Sequence, residues 1–532
     1  MSIIQYCREP GDTDLGVLNN SWKTFENDPA CIAARNAGDI DQPGDTDLGV
    51  LNNSWKTFEN DPACIAARNA GDIDQPGDIE FGFLNNSWKT FENDPAYIAA
   101  RNAITTSNVF SVVQNRDVLQ NILHVYSNSC PNESKCSAQM FSGRCWMFAM
   151  CNVMRVKLRE KFKLPEDFEL SQGFLFFYDK LERCNYYLQS VIEMKDRATD
   201  DRLFSLFNKN MISDGGQWDM LTNIINKYGV CPKSVFPETY CCLNSKNMNK
   251  FLANRLRTDA CKLRKYKDCS NTKLHDMKKN MMGHYHRILA IFFGKPPTQF
   301  DWEYYDKKHE YKMIRNLTPR TFYKKHIPVD LNNYVSLIHD PRNEYYQRYT
   351  VEYLGNVVGG TPICYINVPI EIMKTAVQES IDNKEPVWFG CDVRKCMQAH
   401  YGLLDTKLFD FKSTFGVGFG MNKAERLIYG ESAMTHAMVF TAYDKKKDDS
   451  VRAWRVENSW GTLHGDKGYL CMTDAWFDQW VYQIAIDKRL LNSRVLLKSQ
   501  VLDALKVLDV LKEKKAPIKL PYWDPMGALA TN

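Results

Sequence analysis

The sequence predicts an α+β protein whose helical and β-rich parts occupy different stretches of the chain. A long apolar run, CWMFAMCNVMRVKL at 145–158, is typical of a buried helix. The basic stretch from Lys250 to Arg287 also has helical character. Further on, THAMVFTAY (435–443) and VRAWRVENSWG (451–461) are rich in β-branched and aromatic residues, which is typical of strands. Segregated helices and strands define the α+β class.

Length and composition describe a chain large enough for several domains. The 532 residues are 44% hydrophobic and 25% charged, and the net charge is +4. No run approaches the roughly 18 consecutive apolar residues that a membrane span needs. The first residues, MSIIQYCREPGDTD, lack the apolar stretch of a signal peptide. We therefore expect a cytoplasmic protein with free thiols and no membrane partner.

The 17 cysteines do not form a metal-binding pattern. Cys241 and Cys242 are adjacent, while Cys261, Cys269 and His275 are separated by eight and then six positions. A tetrahedral zinc site needs cysteine pairs with about two to four residues between them. No metal and no cofactor is therefore expected.

The first part of the chain is repetitive. Residues 11–43 recur without a change at 44–76, and a third, diverged copy follows. In that copy Asp94 is a candidate helix cap and Pro95 would occupy the first helical position. Identical copies indicate a recent duplication or a gene-model artefact, so we expect 1–76 to be loosely attached.

The two predicted strands would bring a histidine and an asparagine together. The charged segment between them, DKKKDDS, predicts a turn, and a hairpin centred near Lys447 pairs residues whose numbers sum to 894. His436 and Asn458 satisfy this sum, so we expect them opposite each other or within a residue or two. A buried, purely structural His–Asn pair would give the same pattern.

Cys145 is a candidate nucleophile that would use this pair. A thiol nucleophile needs a base, and the base needs a third group to fix its tautomer. The oxygen of Asn458 can accept from one ring nitrogen of His436 and so direct the other towards a sulfur. Cys145 begins the apolar helix, whose amino end would stabilise a thiolate. Gln139 can supply an amide donor to an oxyanion. The alternative is a buried structural thiol.

Five long motifs stand out along the chain: QMFSGRCW, DGGQWDM, NKAERLIYGESAMTHAMVF, WRVENSWGTLHGDKGYLCMTD and WDPMGALA. Together they resemble the bleomycin hydrolase family of papain-like cysteine peptidases. The resemblance runs from about residue 83 to Ala530. It implies a papain-like core with a large, mostly helical insertion, because Cys145 and His436 are 291 residues apart, against about 130–150 in the papain pattern.

The resemblance implies a role for each candidate residue. Cys145 would be the nucleophile, His436 the general base and then acid, and Asn458 the residue that orients the imidazole. Gln139 would help to form the oxyanion hole. Trp460 would shield the His–Asn contact from water.

The resemblance also assigns substrate contacts. Gly215 and Gly216 would let a substrate backbone approach closely, although a tight turn explains these two glycines equally well. The tail LPYWDPMGALATN, which has no helix or strand pattern, would lie in the active-site cleft and receive the free amino group of a substrate. Ala530 closes the shared motif, and we expect the enzyme to trim Thr531 and Asn532.

Two positions depart from the papain pattern. Ser142 stands where papain-type enzymes have a cysteine that forms a disulfide, so that disulfide is impossible here. Arg144 replaces the small residue before the nucleophile, as in the bleomycin hydrolase branch.

Five segments follow from these features. Residues 1–76 hold the two identical repeats, and 77–230 hold the helical half of the core. Residues 231–350 are the helical, basic insertion, 351–515 the β-rich half of the core, and 516–532 the tail.

The predicted function is that of a cytosolic cysteine aminopeptidase that removes amino-terminal residues from peptides. The resemblance implies a homohexamer with internal active sites. One alternative is a catalytically silent hexamer that binds a polyanion or nucleic acid through Lys250–Arg287. The other is a papain-fold acyl transferase, in which an amine rather than water resolves the thioester.

Overall fold

The structure is a computed structural model, and the part of the chain that it describes falls into two compact units. The boundary lies between Asn93 and Asp94. In the first unit the structure describes Ile79 and one helix, α1 (Phe81–Asn93). The duplicated segment 1–76 lies outside the described residues. The described residues are 79, 81–131, 133–491, 506–513 and 515–530.

The second unit contains helices along most of its length. The first of them, α2 (Pro95–Ile104), starts as the sequence predicts, because the Asp94 carboxylate accepts from the backbone N–H of Ala96 at 2.8 Å. The others are α3 (Val109–Val112), α4 (Arg116–Gln120), α5 (Cys145–Phe162), α6 (Gln172–Glu193), α7 (Arg202–Lys209), α8 (Trp218–Tyr228), α9 (Tyr240–Leu243), α10 (Lys246–Lys265), α11 (Asn271–Phe293), α12 (Pro319–His326), α13 (Ile370–Asp382), α14 (Phe411–Phe415), α15 (Lys423–Ile428), α16 (Asp474–Trp480) and α17 (Lys488–Leu491).

The strands of this unit form one large mixed sheet and one separate hairpin. They are β1 (Asn128–Ser129), β2 (Phe300–Tyr305), β3 (Tyr311–Leu317), β4 (Tyr334–Ile338), β5 (Arg348–Val351), β6 (Tyr365–Asn367), β7 (Val387–Cys391), β8 (Met397–Gln398), β9 (Leu403–Leu404), β10 (His436–Lys445), β11 (Val451–Glu457), β12 (Tyr469–Thr473), β13 (Val481–Asp487) and β14 (Ile518–Leu520). The sheet order is β14-β5-β6-β4-β13-β7-β10-β11-β12-β9-β8, with β1 beside β10.

The centre of the sheet is covered on its faces by helices. Strands β7 and β13 are buried along their whole length, as is β10 up to its last residue. Helix α5 packs against β10, and α13 packs against β10 and β13. The site residues at the starts of α5 and β10 therefore belong to neighbouring elements of the core.

The predicted hairpin is present, with a shifted register. Lys445 pairs with Val451, so the turn is centred on Asp448 instead of Lys447. Along β10 and β11 the numbers of paired residues sum to 896 or 897, where the sequence predicted 894. The sum changes between 896 and 897 at two irregularities in the ladder. Asn458 consequently lies one residue beyond the end of β11.

The insertion predicted at 231–350 is less purely helical than expected. Helices α10 and α11 bury one apolar face, but the same stretch contains the hairpin β2–β3, which buries Trp302 against Phe162 and Phe322. Strand β4 also falls inside it and pairs with β13 and β6. The β-rich half therefore begins before the predicted boundary at 351.

Among the described residues, no helix has both the length and the apolar character that crossing a membrane requires. The 14 cysteines of this part of the chain are free thiols. Its His, Cys, Asp and Glu side chains include no group of three or more arranged to hold a metal ion.

Candidate active site

Cys145 is the first residue of α5 and lies beside the start of β10. Its side chain is buried, with 3% of its surface exposed. The backbone N–H groups of Ala437 and Trp146 lie near its sulfur and act to lower the pKa of the thiol. Because Ala437 follows His436 directly in β10, this contact brings the thiol next to the histidine. The packing of α5 against β10 accounts for this arrangement.

The imidazole of His436 is held by Asn458. The Nε2 atom of His436 is 2.9 Å from the side-chain oxygen of Asn458. The same oxygen accepts the backbone N–H of Ser459 at 2.8 Å, which identifies it as the oxygen rather than the nitrogen of the amide. His436 must therefore donate from Nε2, and its Nδ1 is left with a free lone pair when the ring is neutral.

Burial governs the protonation of both reactive groups. It raises the pKa of the Cys145 thiol to about 11, and the backbone N–H groups of Ala437 and Trp146 oppose that rise. It lowers the pKa of His436 to about 4, against an opposing contribution from the Asn458 hydrogen bond. The helix start thus favours the thiolate, as expected, but burial has the larger effect. Between about pH 4 and pH 11 the thiol is therefore protonated and the imidazole is neutral, so the pair carries one titratable proton.

Trp460 covers the histidine. The centroid of its ring system lies 5.1 Å from that of His436, at an interplanar angle of 43°. The Trp460 backbone bridges to Ala138, one residue before Gln139. The indole thus packs against one side of the imidazole.

Gln139 presents an amide N–H group next to the nucleophile loop. Its nitrogen donates to the carbonyl of Ser142 at 2.6 Å, and because a carbonyl can only accept, this contact fixes which end of the amide is the nitrogen. Its oxygen accepts the hydroxyl of Ser459 at 2.6 Å. The second amide hydrogen is not needed for the Ser142 contact.

Three residues to which the sequence analysis gave no role in the site hold this arrangement together. Ser459 contacts both Gln139 and Asn458. The Asp214 carboxylate accepts the backbone N–H of Gly143 at 3.1 Å. Burial raises the pKa of this carboxyl, but Lys180, Ser245 and Asn249 together outweigh burial and lower it. Ser459 directly follows Asn458, and Asp214 directly precedes Gly215. Their positions in the motifs were the signal by which sequence analysis could have found them.

The third of these residues is Arg144, which holds the loop before Cys145 in place. It is fully buried and forms an ion pair with Glu238: its Nη1 donates to Oε1 at 3.0 Å, and its Nη2 lies 2.8 Å from Oε2. Its Nε also donates to the hydroxyl of Ser142 at 2.9 Å. Because Arg144 directly precedes Cys145, these contacts hold the start of α5 in place. The sequence marked this arginine as a departure but gave no partner for it.

The two glycines have different surroundings. A Cβ atom on Gly216 would lie 2.6 Å from the ring of Trp146, so close packing against the indole requires glycine at this position. The carbonyl of Gly215 accepts from Arg183. Neither glycine has a positive φ, so a left-handed turn does not explain them.

The tail contains regular secondary structure, although its sequence shows no helix or strand pattern. Strand β14 pairs with β5, and residues Pro525–Ala530 form a 3₁₀ turn. Arg342 donates to both oxygens of Asp524, at 2.9 and 3.1 Å. The Pro525 carbonyl accepts the backbone N–H of Met434 at 3.4 Å. The tail therefore contacts the chain two residues before His436.

The end of the tail is only partly described. Ala530 is the last described residue, and Thr531 and Asn532, predicted to be trimmed, lie outside the described residues. A strand of three residues and one short turn carry no periodicity that sequence reasoning can detect. The tail was for this reason wrongly predicted to contain no regular structure.

Comparisons with known proteins agree with this geometry. Residues 78–527 match the Peptidase C1-like family. Over 438 residues the chain is 42% identical to bleomycin hydrolase from Homo sapiens, covering 80% of this chain and 93% of that protein. Over 431 residues it is 40% identical to aminopeptidase C from Listeria monocytogenes, with the same coverage.

A solved structure shows the same fold. The crystal structure of PepW from Lactobacillus rhamnosis superposes with a TM-score of 0.80 at 40% identity, covering 85% of this chain and 99% of that one. The α+β, papain-like fold expected from the sequence is confirmed, as is the resemblance to bleomycin hydrolase. The chain belongs to the Peptidase C1-like family of cysteine peptidases.

Proposed function

We propose that the protein is a cysteine aminopeptidase that removes amino-terminal residues from peptides. The observation that carries the proposal is the site itself: a thiol at the start of α5, beside a histidine whose Nε2 is held 2.9 Å from an asparagine oxygen. A thiol, a base and a group that fixes the tautomer of the base are what nucleophilic catalysis by cysteine needs. The names of the relatives, bleomycin hydrolase and aminopeptidase C, support the same activity.

The reaction begins with transfer of the Cys145 proton to Nδ1 of His436. The sulfur attacks the carbonyl carbon of the amino-terminal residue, and the resulting oxyanion receives hydrogen bonds from the Gln139 amide and the Cys145 backbone N–H. His436 then donates its proton to the leaving amine, which leaves a thioester on Cys145. Water, deprotonated by the same imidazole, releases the amino acid.

The tail restricts the enzyme to substrates with a free amino group. Its attachment through Asp524 and Arg342, and the contact between Pro525 and Met434, support a tail that occupies part of the cleft. An endopeptidase substrate would have to continue through the space that the tail fills. A carboxylate at the end of the tail would attract an α-ammonium group and disfavour a blocked one.

The proposal extends to processing, assembly and location. The enzyme removes Thr531 and Asn532 from its own tail, assembles as a homohexamer and acts in the cytosol. Intact-mass spectrometry tests the first statement and light scattering the second. A full-length tail in a fully active preparation would contradict self-trimming.

The activity is tested with an alanyl aminomethylcoumarin amide and its N-acetylated twin. We expect the wild type to cut only the free-amine substrate, Cys145→Ala to cut neither, and Cys261→Ala, which removes an exposed thiol, to resemble the wild type. Cleavage of both substrates would leave the assignment of Cys145 as the nucleophile intact and would refute gating by the tail. Cleavage of neither by folded, reduced wild type would contradict the proposed function and favour the polyanion-binding alternative.

A further inference from the structure

A cavity of about 570 Å³ opens beside the nucleophile loop. One wall contains Ser142 and Gly143, which shortly precede Cys145, and another contains Ser213 and Asp214, which directly precede Gly215. The third wall is the first part of α10. The volume lies within the range of about 300–1,000 Å³ that is usual for ligand pockets. The cavity is therefore large enough for an amino-acid side chain and adjoins the reacting sulfur's loop.

Three lysines give this cavity a positive charge. Lys209, Lys246 and Lys250 all line it, and their side chains are exposed. Within the described residues, no carboxylate lies within ion-pair distance of any of the three ammonium groups. A substrate carboxylate would therefore not have to displace a protein carboxylate from them.

The acidic group of the cavity does not cancel this charge. Asp214 is buried, and its carboxylate is held by Lys180 at 2.7 Å and by Asn249 at 2.6 Å, with a further contact to Ser245. Lys180 is itself buried and balances the charge of Asp214. The three lysines around the opening thus keep a net positive potential, which favours a negatively charged ligand.

We propose that this cavity receives the side chain of the substrate's amino-terminal residue and selects a carboxylate there, so that the preferred substrates begin with Glu or Asp. The proposal rests on the proposed aminopeptidase function. The site is open to water, so each lysine contributes a modest preference, about twofold in kcat/KM, as exposed ion pairs do. Three lysines together give about fivefold to tenfold.

The test compares two isosteric substrates, the glutamyl and glutaminyl aminomethylcoumarin amides. For the wild type we expect kcat/KM to be about fivefold to tenfold higher for the glutamyl amide at low salt, and the ratio to fall as salt is added. Lys209→Gln, Lys246→Gln and Lys250→Gln combined should bring the ratio close to one. Lys265→Gln, which changes an exposed lysine at the other end of α10, is the matched control and should keep the wild-type ratio.

The outcomes separate this proposal from the proposed function. Hydrolysis of the glutaminyl amide with no preference for the glutamyl amide would overturn the carboxylate site and leave the aminopeptidase intact. A preference that survives in the triple variant would also overturn it. Hydrolysis of the alanyl amide but of neither of these two would overturn the carboxylate site alone, and hydrolysis of none of the three would overturn both proposals.

Discussion

The side-chain oxygen of Asn458 lies 2.9 Å from Nε2 of His436 and 2.8 Å from the backbone nitrogen of Ser459. The second contact fixes the first, because a backbone N–H can only donate and so the amide oxygen must face both groups. The histidine is thereby held with a free lone pair on Nδ1, the atom that accepts the thiol proton in the mechanism we propose.

Replacing Asn458 with alanine should slow the chemical step. Without the amide oxygen, the imidazole loses the group that fixes its tautomer, and we expect kcat to fall by about 10²-fold, within the range for general acid–base groups. KM should change little, because Asn458 contacts no substrate. Steady-state kinetics with the alanyl amide measures both constants.

Asn458→Asp is the matched variant, because it keeps an oxygen near Nε2. It should retain more activity than Asn458→Ala, and its carboxylate should raise the pKa of His436 by favouring the imidazolium. Equal activity of the two variants would show that the oxygen does not orient the ring.

The pH dependence should report the lowered pKa of His436. Burial lowers this pKa from 6.5 to about 4, so the ring stays neutral, and able to accept a proton, as the pH falls through 6.5. The acid limb of kcat/KM should therefore have its midpoint near pH 4. The measurement is a pH–rate profile, with circular dichroism to verify that the protein remains folded. A midpoint near 6.5 would contradict the buried, neutral imidazole.

Gly216→Ala should destabilise the fold around the nucleophile. The added methyl group would lie 2.6 Å from the Trp146 ring, which is buried and held by a hydrogen bond from Nε1 to the Asp214 carbonyl. We expect a loss of about 1–3 kcal/mol in the free energy of unfolding, as for other overpacked cores. Urea denaturation measures the loss.

Gly283→Ala is the control for this substitution. Gly283 lies inside helix α11, and a Cβ there meets nothing within 4 Å. Alanine should raise the free energy of unfolding by about 0.5–1 kcal/mol, because it favours the helix. Equal effects of the two substitutions would contradict the packing explanation for Gly216.

The ion pair between Arg342 and Asp524 should control access to the cleft. Their side chains are 15% and 8% exposed. Arg342 keeps a second ion pair, with Asp340, so the loss of Asp524 should cost about 1.5–3 kcal/mol, as for one hydrogen bond between charged groups. Asp524→Ala should therefore loosen the tail and allow hydrolysis of the N-acetylated alanyl amide. Glu310→Ala, which breaks an exposed ion pair with Lys312, should not. An unchanged ratio of blocked to free hydrolysis in Asp524→Ala would refute the anchor.

Local patterns in the sequence predicted the elements that carry the reactive residues. The apolar run that begins at Cys145 became α5, and the two β-rich runs became β10 and β11. The His436–Asn458 contact was predicted from the length of the turn between the strands. Its register was two positions off, because the turn is centred one residue later and simple pairing does not anticipate irregularities in the ladder.

Contacts between distant residues were not predictable in the same way. The hydrogen bond from Ser459 to Gln139 joins residues 320 positions apart, and the ion pair between Arg144 and Glu238 depends on the packing of several helices. No local period encodes such pairs. The lysines of the cavity beside Asp214 likewise come from α7 and α10, whose separate patterns do not indicate a shared site.

The mass of the enzyme during turnover tests the account most directly. The wild type would be mixed with excess alanine methyl ester, which acylates a thiol faster than an amide does, quenched in acid and digested. We predict an added alanyl group on the peptide that contains Cys145, present also in Cys261→Ala and absent from Cys145→Ala. Turnover without this adduct, or an adduct on another thiol such as Cys391, would contradict the assignment of Cys145 as the nucleophile.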